Sequence, residues 1–239
     1  RPPRSTPKPS SAASDVYKRQ DLHFQRNLAI RRALRVIYPD GRLGLDDLVA
    51  VHVVEYDRGF RTFVIVAIVG TECTGKTTLC DSLAQHYSVE WPPEYAREYF
   101  SLHVEKRRHY TVQDVASIAS TQICRERNFV TDRNSLRILD TDAVVLYVWW
   151  LDKFGRPPIW LVEHLQAIEG RHYLLTKPDV PWEIHPLREA RHDRERLHYL
   201  YAQTLEEFES PYTEIEGLGA SRLSRAIEVI DRFKEGVGP

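Results

Sequence analysis

The most constraining feature of this chain is a short apolar run that leads directly into a glycine-rich turn. Residues 64–78 read VIVAIVGTECTGKTT, in which four residues separate Gly70 from Gly75-Lys76-Thr77. Glycine at the two fixed positions permits backbone conformations in which successive N–H groups point at phosphate oxygens. The apolar run predicts a buried strand, and the apolar spacing after the turn predicts a helix. A P-loop occurs in this setting, so the sequence predicts a nucleoside triphosphate site.

Each part of this motif would have its own task in binding a nucleotide. Lys76 would reach the β- and γ-phosphates of ATP, and the Thr77 hydroxyl would bind Mg²⁺. The helix that begins near Gly75 would add its positive N-terminal end to the site. The residues expected to bind the nucleotide are Gly70, Thr71, Glu72, Cys73, Thr74, Gly75, Lys76, Thr77 and Thr78.

The first twenty residues are interpreted as foreign to the natural protein. Residues 10–20 (SSAASDVYKRQ) resemble a translated sequencing-library adapter, and residues 1–6 (RPPRST) resemble the flow-cell end of the same adapter. We exclude residues 1–20 from fold prediction for this reason. Residues 21–63 combine a basic amphipathic stretch with a strand-like segment and are treated as an N-terminal extension of uncertain origin. The chain contains no Met, and Val64 is one candidate for the natural start.

Composition excludes several classes of function. The 33 basic residues nearly balance the 34 acidic ones, so we expect neither a nucleic-acid surface nor a membrane-binding helix. No apolar run approaches the length of a membrane span. The three cysteines, Cys73, Cys80 and Cys124, lack CxxC spacing and predict reduced thiols in a cytoplasmic protein without a zinc site. The expected partner is a small-molecule substrate.

From residue 64 onward, segments with strand character alternate with segments of helical character. This alternation predicts a doubly wound α/β domain over residues 64–239, with a mainly parallel sheet and helices on both of its faces. Strands are predicted in the run from residue 64, ending near Glu90–Pro93, and at 136–139, 172–176 and 212–215. Helices are predicted at 75–87, from Thr111, at 143–154, at 158–168, up to about 208 and at 221–234.

Two aspartates follow the predicted strand at 136–139. Asp140 is expected to complete the Mg²⁺ site begun by Thr77, because P-loop proteins use an acidic residue at the end of a neighbouring strand. Asp142 would share a face with Asp140 if the strand continued, and we expect it to bind substrate and take part in catalysis. The alternative for both is a strand-end turn or a helix cap.

Residues 94–99 read EYAREY and follow the second predicted strand, where α/β sheets bind their ligands. Glu94 is the candidate base, because a carboxylate there would orient an acceptor alcohol and accept its proton. Tyr95 and Arg97 are expected to contact the substrate. The alternative is a solvated helix start with ion pairs between residues three or four positions apart.

Residues 178–196 begin with PDVPW and continue into an arginine-rich helix. This pattern is similar to the mobile lid of small-molecule kinases, in which arginines close over the transferring phosphoryl group. Arg188 is expected to be catalytic, Arg191 and Arg194 to bind ATP, and Trp182 to bind substrate. The alternative is a charged surface helix, because acidic residues alternate with the arginines.

Histidines and tryptophans give weaker signals. The ten histidines show no metal-ligand spacing, and His185 in the lid is interpreted either as a substrate contact or as an ordinary loop residue. Trp149 and Trp150 would either stack on a base or pack in the core. None of these residues selects a function by itself.

Four segments occur in the order typical of the NadR-type ribosylnicotinamide kinase domain, which residues 64–235 resemble. They are GTECTGKTTL at 70–79, EYAREY at 94–99, LDTD at 139–142 and PDVPWEIHPLRE at 178–189. One departure is His185-Pro186, where many such sequences carry an acidic residue. Residues 21–63 are too short for the adenylyltransferase or DNA-binding domain of the full regulator.

The resemblance implies phosphorylation of the 5′-hydroxyl of nicotinamide riboside by ATP and Mg²⁺, giving nicotinamide mononucleotide for NAD salvage. Two other functions stay open: a kinase of the same fold for another nucleoside, and a regulatory ATPase or nucleotide switch. The arginine-rich lid favours a kinase, because transfer to a bound acceptor needs such a lid and a switch does not.

Overall fold

The computed structural model describes residues 64–103, 110–129, 136–168, 170–184 and 188–236. The predictions for residues 1–20, for residues 21–63 and for His185 lie outside this part of the chain. Within it, no helix combines the length and the apolar character needed to cross a membrane.

Strands and helices alternate along the described residues. The strands are β1 (Val64–Val69), β2 (Leu136–Asp140), β3 (Arg171–Thr176) and β4 (Tyr212–Ile215). The helices are α1 (Lys76–Tyr87), α2 (Tyr95–His103), α3 (Val112–Asn128), α4 (Ala143–Phe154), α5 (Ile159–Gln166), α6 (Arg194–Glu207) and α7 (Gly219–Gly236).

The strands form one parallel sheet in the order β2-β1-β3-β4. In the register of the central strands, Ile68 pairs with Asp140 on one side and with Leu174 on the other. Parallel pairing brings the carboxyl ends of all strands to the same edge of the sheet. The loops that follow β1, β2 and β3 therefore meet at that edge, as the predicted P-loop fold requires.

Alternate residues of β1 point to opposite faces of the sheet, and each face is covered by helices. Val66 and Ile68 belong to a core that α1 and α7 complete, whereas Ala67 and Val69 belong to a core built with α3, α4, α5 and α6. All four side chains are fully buried. Burial of a branched apolar side chain contributes about 1.5–3 kcal/mol, so the two-sided core stabilises the strand that carries the P-loop. The predicted doubly wound sheet is confirmed.

A third, smaller core joins α2, α3 and α4. The ring of Trp149 packs edge-on against Tyr110, and its Nε1 donates a hydrogen bond of 3.1 Å to the Tyr110 hydroxyl. Trp150 is buried on the same helix. Both tryptophans therefore pack in the interior, as the second interpretation of them expected.

The strand predicted to end near Glu90–Pro93 is absent. Residues 89–94 carry no regular structure. Pro92 and Pro93 lack the N–H groups that a sheet ladder needs, and Trp91 instead donates to Asp81 on α1 at 3.2 Å. The chain thus crosses from α1 to α2 as an extended loop and does not add a strand to the sheet.

Candidate active site

The loop between β1 and α1 has the backbone conformation that its glycines allow. Gly70 has a φ of 138° and Gly75 a φ of 74°. A Cβ placed on Gly70 would lie 2.5 Å from Oγ1 and 2.9 Å from the carbonyl oxygen of Thr176, at the end of β3. Glycine at position 70 is therefore required by both the backbone angle and the close approach of β3.

Hydrogen bonds from side chains hold the loop in this shape. Thr74 Oγ1 donates to the Thr71 carbonyl at 2.9 Å and lies 2.7 Å from Thr176 Oγ1. Thr176 Oγ1 in turn donates to the Val69 carbonyl at 3.1 Å. Lys76 Nζ donates to the Thr71 carbonyl at 2.8 Å, so its ammonium group lies over the loop. Thr71 and Thr74 are buried, whereas Thr78 is exposed in the first turn of α1.

Thr77 and Asp140 meet where the two candidate metal ligands were expected. The Thr77 hydroxyl donates to Asp140 Oδ2 at 2.7 Å. Asp140 is buried, and burial, together with the nearby carboxylate of Glu94, raises its pKa despite the hydrogen bond from Thr77. Its Oδ1 has no hydrogen-bond partner in the described part of the chain.

An unpartnered carboxylate oxygen in a buried site is costly, and a bound cation would remove that cost. The pair therefore fits Mg²⁺ of the P-loop type, which is held by few protein ligands and mainly by phosphates and water. Among the described residues, no cluster of three or more His, Cys, Asp or Glu could hold a metal without such help.

Glu94 and Arg97 reach the same place from the start of α2. Arg97 Nε donates to Glu94 Oε2 at 3.2 Å, and Arg97 Nη2 donates to Thr77 Oγ1 at 3.1 Å. The Glu94 side chain is 23% exposed and that of Arg97 is 61% exposed. The ion pair of the alternative interpretation thus forms, and it forms beside the Thr77–Asp140 pair. An acceptor bound against α2 would meet both residues.

Residues of α3 that the sequence analysis missed fix the start of α2. Gln122 Oε1 accepts from the backbone N–H of Tyr95 at 2.9 Å. Arg125 forms two hydrogen bonds to Glu98, at 2.7 and 2.9 Å, and its guanidinium lies 4.2 Å from the centre of the Tyr95 ring. Only the helical spacing of α3 was visible in the sequence, and spacing does not reveal which partner a polar side chain finds across the fold.

Asp142 does not join the Thr77–Asp140 pair. The strand ends at Asp140, and Thr141 has a φ of 66°, so the alternation that would put both aspartates on one face is broken. Asp142 is fully buried, its Oδ1 caps α4 by accepting from Val144 N at 2.9 Å, and its Oδ2 bonds Arg171 at 2.5 Å. Both oxygens are engaged in structural contacts, which fits the helix-cap alternative rather than contact with substrate.

The described residues of the predicted lid, 178–184 and 188–196, are called the lid segment below, and several of them contact the P-loop. Cys73 Sγ accepts from Glu183 N at 3.2 Å and from Arg188 Nη1 at 3.3 Å. Arg194 Nη1 donates to the Cys73 carbonyl at 3.3 Å and to the Val180 carbonyl at 2.7 Å. The structure therefore brings two of the predicted lid arginines to the phosphate-binding loop.

The remaining lid residues support different interpretations, some that of a lid over the site and others that of a charged surface helix. The Trp182 ring lies beneath the Arg194 guanidinium, 5.8 Å from its carbon. Arg191 is exposed. Arg196 forms ion pairs with Asp152 and Asp193, as a charged surface helix would. These contacts connect Trp182 with the site through Arg194 and place Arg196 in a surface network.

Arg222, on the first turns of α7, is a further residue that sequence analysis missed. It donates to the Thr74 carbonyl of the P-loop, to the Gly217 carbonyl at 2.7 Å and to the carboxylate of Asp179. Asp179 also accepts from Gly217 N at 2.7 Å. One buried guanidinium thus joins the P-loop, the first residues of the lid and the loop before α7. An isolated arginine in a helix carries no sequence signal for such contacts.

Comparison with known proteins agrees with this architecture. A sequence model described as an AAA domain matches residues 65–222, which is well over half of the chain. A crystal structure of a NadR protein in complex with NR superposes with a TM-score of 0.61 at 23% identity, covering 73% of this chain and 52% of that one. No curated protein matches the chain.

A second NadR structure, in complex with NAD and AMP-PNP, gives a TM-score of 0.56 at 24% identity and covers 72% of this chain and 50% of that one. The chain thus spans about half the length of the solved structures that it matches. At this level of identity the likeness establishes the fold, which is that of the NadR protein domain over the matched region.

Proposed function

Because the chain belongs to the AAA domain family, we propose that it is an ATP-dependent kinase that phosphorylates a hydroxyl group of a small molecule. The observation that carries this proposal is the meeting of Thr77, Asp140 and Arg97, with Glu94 beside them. The first two residues form the P-loop pair for a nucleotide-bound cation. The other two lie where an acceptor would approach that nucleotide. We assign this activity to residues 64–239.

Catalysis of phosphoryl transfer rests mainly on positioning and on neutralising charge, because the transition state is loose and anionic. Lys76 would move from the Thr71 carbonyl to the β- and γ-phosphates. Arg188 and Arg194, on the P-loop side of the lid, would neutralise the equatorial oxygens of the transferring group and exclude water.

Glu94 would hold the acceptor hydroxyl and accept its proton as the oxygen forms its bond to the γ-phosphorus and ADP leaves. Arg97 would keep the Glu94 carboxylate in place through the bond that it donates from Nε. Thr77 and Asp140 would hold Mg²⁺, which would neutralise negative charge on the nucleotide phosphates.

For the acceptor we propose the 5′-hydroxyl of nicotinamide riboside. Two observations support this choice: the ordered EYAREY, LDTD and PDVPW segments, and the fold shared with a NadR protein that was solved in complex with NR. Of these segments, EYAREY bears on the acceptor side of the site, which a P-loop alone leaves undefined, because Glu94 and Arg97 lie beside Thr77. The product would be nicotinamide mononucleotide.

The test is ATP consumption by the purified full chain across a panel of nucleosides that includes nicotinamide riboside. We expect a selective response to nicotinamide riboside, with formation of nicotinamide mononucleotide detected by mass spectrometry. A response only to other nucleosides would retain the kinase and replace the acceptor. ATP hydrolysis that no acceptor stimulates would favour a regulatory ATPase over a kinase.

A further inference from the structure

Glu72 occupies one of the variable positions of the P-loop, and its carboxylate points at the lid segment. Glu72 Oε2 accepts hydrogen bonds from two successive backbone N–H groups, those of Glu189 at 2.8 Å and Ala190 at 3.0 Å. These partners lie more than a hundred residues further along the chain. The contact is therefore tertiary and depends on the position of the lid segment.

We propose that Glu72 is a positioning residue that holds the lid segment on the P-loop and thereby sets the place of Arg188. This inference rests on the proposed phosphoryl transfer, because Arg188 matters only where a phosphoryl group is transferred. The Glu72 side chain would touch neither ATP nor the acceptor, whereas its backbone N–H belongs to the P-loop that is expected to bind phosphate.

The geometry supports a specific link between Glu72 and Arg188. The two N–H groups that Glu72 binds belong to the residues that directly follow Arg188 in the chain. Arg188 Nη1 meanwhile contacts Cys73 Sγ at 3.3 Å and the Glu183 carbonyl at 2.9 Å. Backbone and side chain of this short segment are thus both tied to neighbouring P-loop residues, Glu72 and Cys73.

A carboxylate suits this task better than a neutral side chain. Hydrogen bonds to an ionised acceptor are about twice as strong as those between neutral groups. Asp193, the N-cap of α6, makes no side-chain capping bond to the first turn of that helix. Glu72 Oε2 accepts the N–H groups of Glu189 and Ala190, the two residues that precede the turn into α6.

The first experiment compares Glu72→Ala with Glu72→Gln in the full chain. Glutamine keeps a carbonyl oxygen that can accept both N–H groups, whereas alanine removes the acceptor. We expect kcat to fall about tenfold or more in Glu72→Ala, with the KM for ATP within about threefold of wild type, and to recover in part in Glu72→Gln, whose neutral oxygen accepts more weakly. Glu207→Ala, which removes an exposed carboxylate at the end of α6, is the matched control.

The second experiment follows the lid segment without any need for activity. Cys73 Sγ is covered by the lid through Pro181, Glu183 and Arg188, whereas Cys124 on α3 is exposed. Alkylation with iodoacetamide, mapped peptide by peptide, reports both thiols in one sample. We expect Cys73 to react at least about fivefold faster in Glu72→Ala, with the Cys124 rate unchanged.

Glu72→Gln distinguishes two causes of faster Cys73 alkylation, a displaced lid segment and the loss of the Glu72 charge. It removes the negative charge beside Cys73 but keeps an oxygen that can accept the hydrogen bonds. A Cys73 rate in Glu72→Gln that lies closer to wild type than to Glu72→Ala supports the inference. Equal acceleration in both variants, or an unchanged Cys73 rate in Glu72→Ala, overturns it. If wild type transfers no phosphoryl group to any acceptor, the proposed function fails, and the alkylation rates still decide whether Glu72 holds the lid segment.

Discussion

The hydroxyl of Thr77 donates a hydrogen bond of 2.7 Å to Oδ2 of Asp140 and so joins the first turn of α1 to the end of β2. The bond orients one carboxylate oxygen and leaves the other, Oδ1, buried without a partner among the described residues. A carboxylate held in this way is poorly solvated, and a cation would satisfy it. Stability and activity should therefore respond in opposite directions to a change at position 140.

We predict that Asp140→Asn stabilises the protein without Mg²⁺ and lowers transfer by roughly a hundredfold. Burial raises the pKa of Asp140 above its usual value of 3.8, so stability falls as the pH rises through the raised pKa, and asparagine removes that loss. Thermal unfolding should show a higher Tm for the variant at neutral pH. Added Mg²⁺ and ATP should stabilise wild type more than the variant; equal gains would contradict the metal assignment.

Replacement of Lys76 tests the P-loop chemistry. Lys76→Ala should reduce transfer by roughly 10²–10³-fold, because the ammonium group neutralises charge that develops on the phosphates. The fold should persist, since among the described residues Lys76 Nζ makes one hydrogen bond, to the Thr71 carbonyl. Steady-state kinetics and circular dichroism measure the two effects. Full activity in Lys76→Ala would remove the basis for a nucleotide site at this loop.

Gly70→Ala should destabilise the protein more than Gly170→Ala. Both glycines have positive φ, but a Cβ at Gly70 would meet Thr176 at 2.5 Å, whereas a Cβ at Gly170 would meet nothing within 4 Å. The left-handed φ of Gly170 costs a non-glycine residue about 1–2 kcal/mol. The φ of 138° at Gly70 lies outside that region and costs about 1–3 kcal/mol, and overpacking there adds roughly 1–3 kcal/mol. Urea unfolding of the two variants measures the difference, and equal midpoints would show that β3 can move away from the loop.

Much of this fold could be predicted because its signals are local. The alternation of β1, the glycines of the P-loop and the capping box at Thr111 and Asp114 each depend on neighbouring residues, and each is present in the structure. The strand predicted to end near Glu90–Pro93 is wrong, because it was placed from the expected alternation of strands and helices and not from the residues themselves. Pro92 and Pro93 prevent a strand there, since neither has an N–H group to donate to a neighbouring strand.

Contacts in the candidate site could be predicted only where a known motif implies that two residues meet. Thr77 and Asp140 meet as their motif positions suggested. The contacts of Gln122 with Tyr95 and of Arg222 with Thr74 join distant segments, and no spacing rule encodes them. Asp142 shows most clearly the limit of prediction from sequence. It was expected on the same strand face as Asp140, but the left-handed backbone of Thr141 ends that alternation, and Asp142 is the N-cap of α4.

The buried cluster beside that cap should make stability depend on pH. Burial, together with the nearby carboxylate of Asp142, raises the pKa of Glu126 from 4.5 to about 8. Arg171, which bonds Asp142 closely and lies 3.5 Å from Glu126, opposes this rise only in part. The folded protein therefore keeps a proton on Glu126 that the unfolded chain loses, and stability falls as the pH rises from about 4.5 through about 8. Glu126→Gln should flatten this decline in a pH series of urea midpoints. A parallel decline in both proteins would assign it to other groups.

Arg222 provides the last prediction, because its guanidinium is the junction of three loops. Arg222→Ala would leave the Thr74 carbonyl and the Asp179 carboxylate without their shared donor. Arg222 is buried but the Asp179 side chain is 34% exposed, so the main cost is the Thr74 carbonyl left without its donor, about 1–3 kcal/mol. The displaced Thr74 carbonyl should also raise the KM for ATP. Arg222→Lys should restore little, because a lysine cannot present donors in several directions from one plane.

A double-mutant cycle with Asp179 separates the junction from simple loss of packing. If Arg222 acts on the lid through Asp179, then Asp179→Ala should cost much less in an Arg222→Ala background than in wild type, since the partner is already gone. The free energy of unfolding and the KM for ATP should both show this coupling. Additive effects in both measurements would mean that the two residues stabilise the protein independently, and the junction would then reduce to the bond between Arg222 and the P-loop.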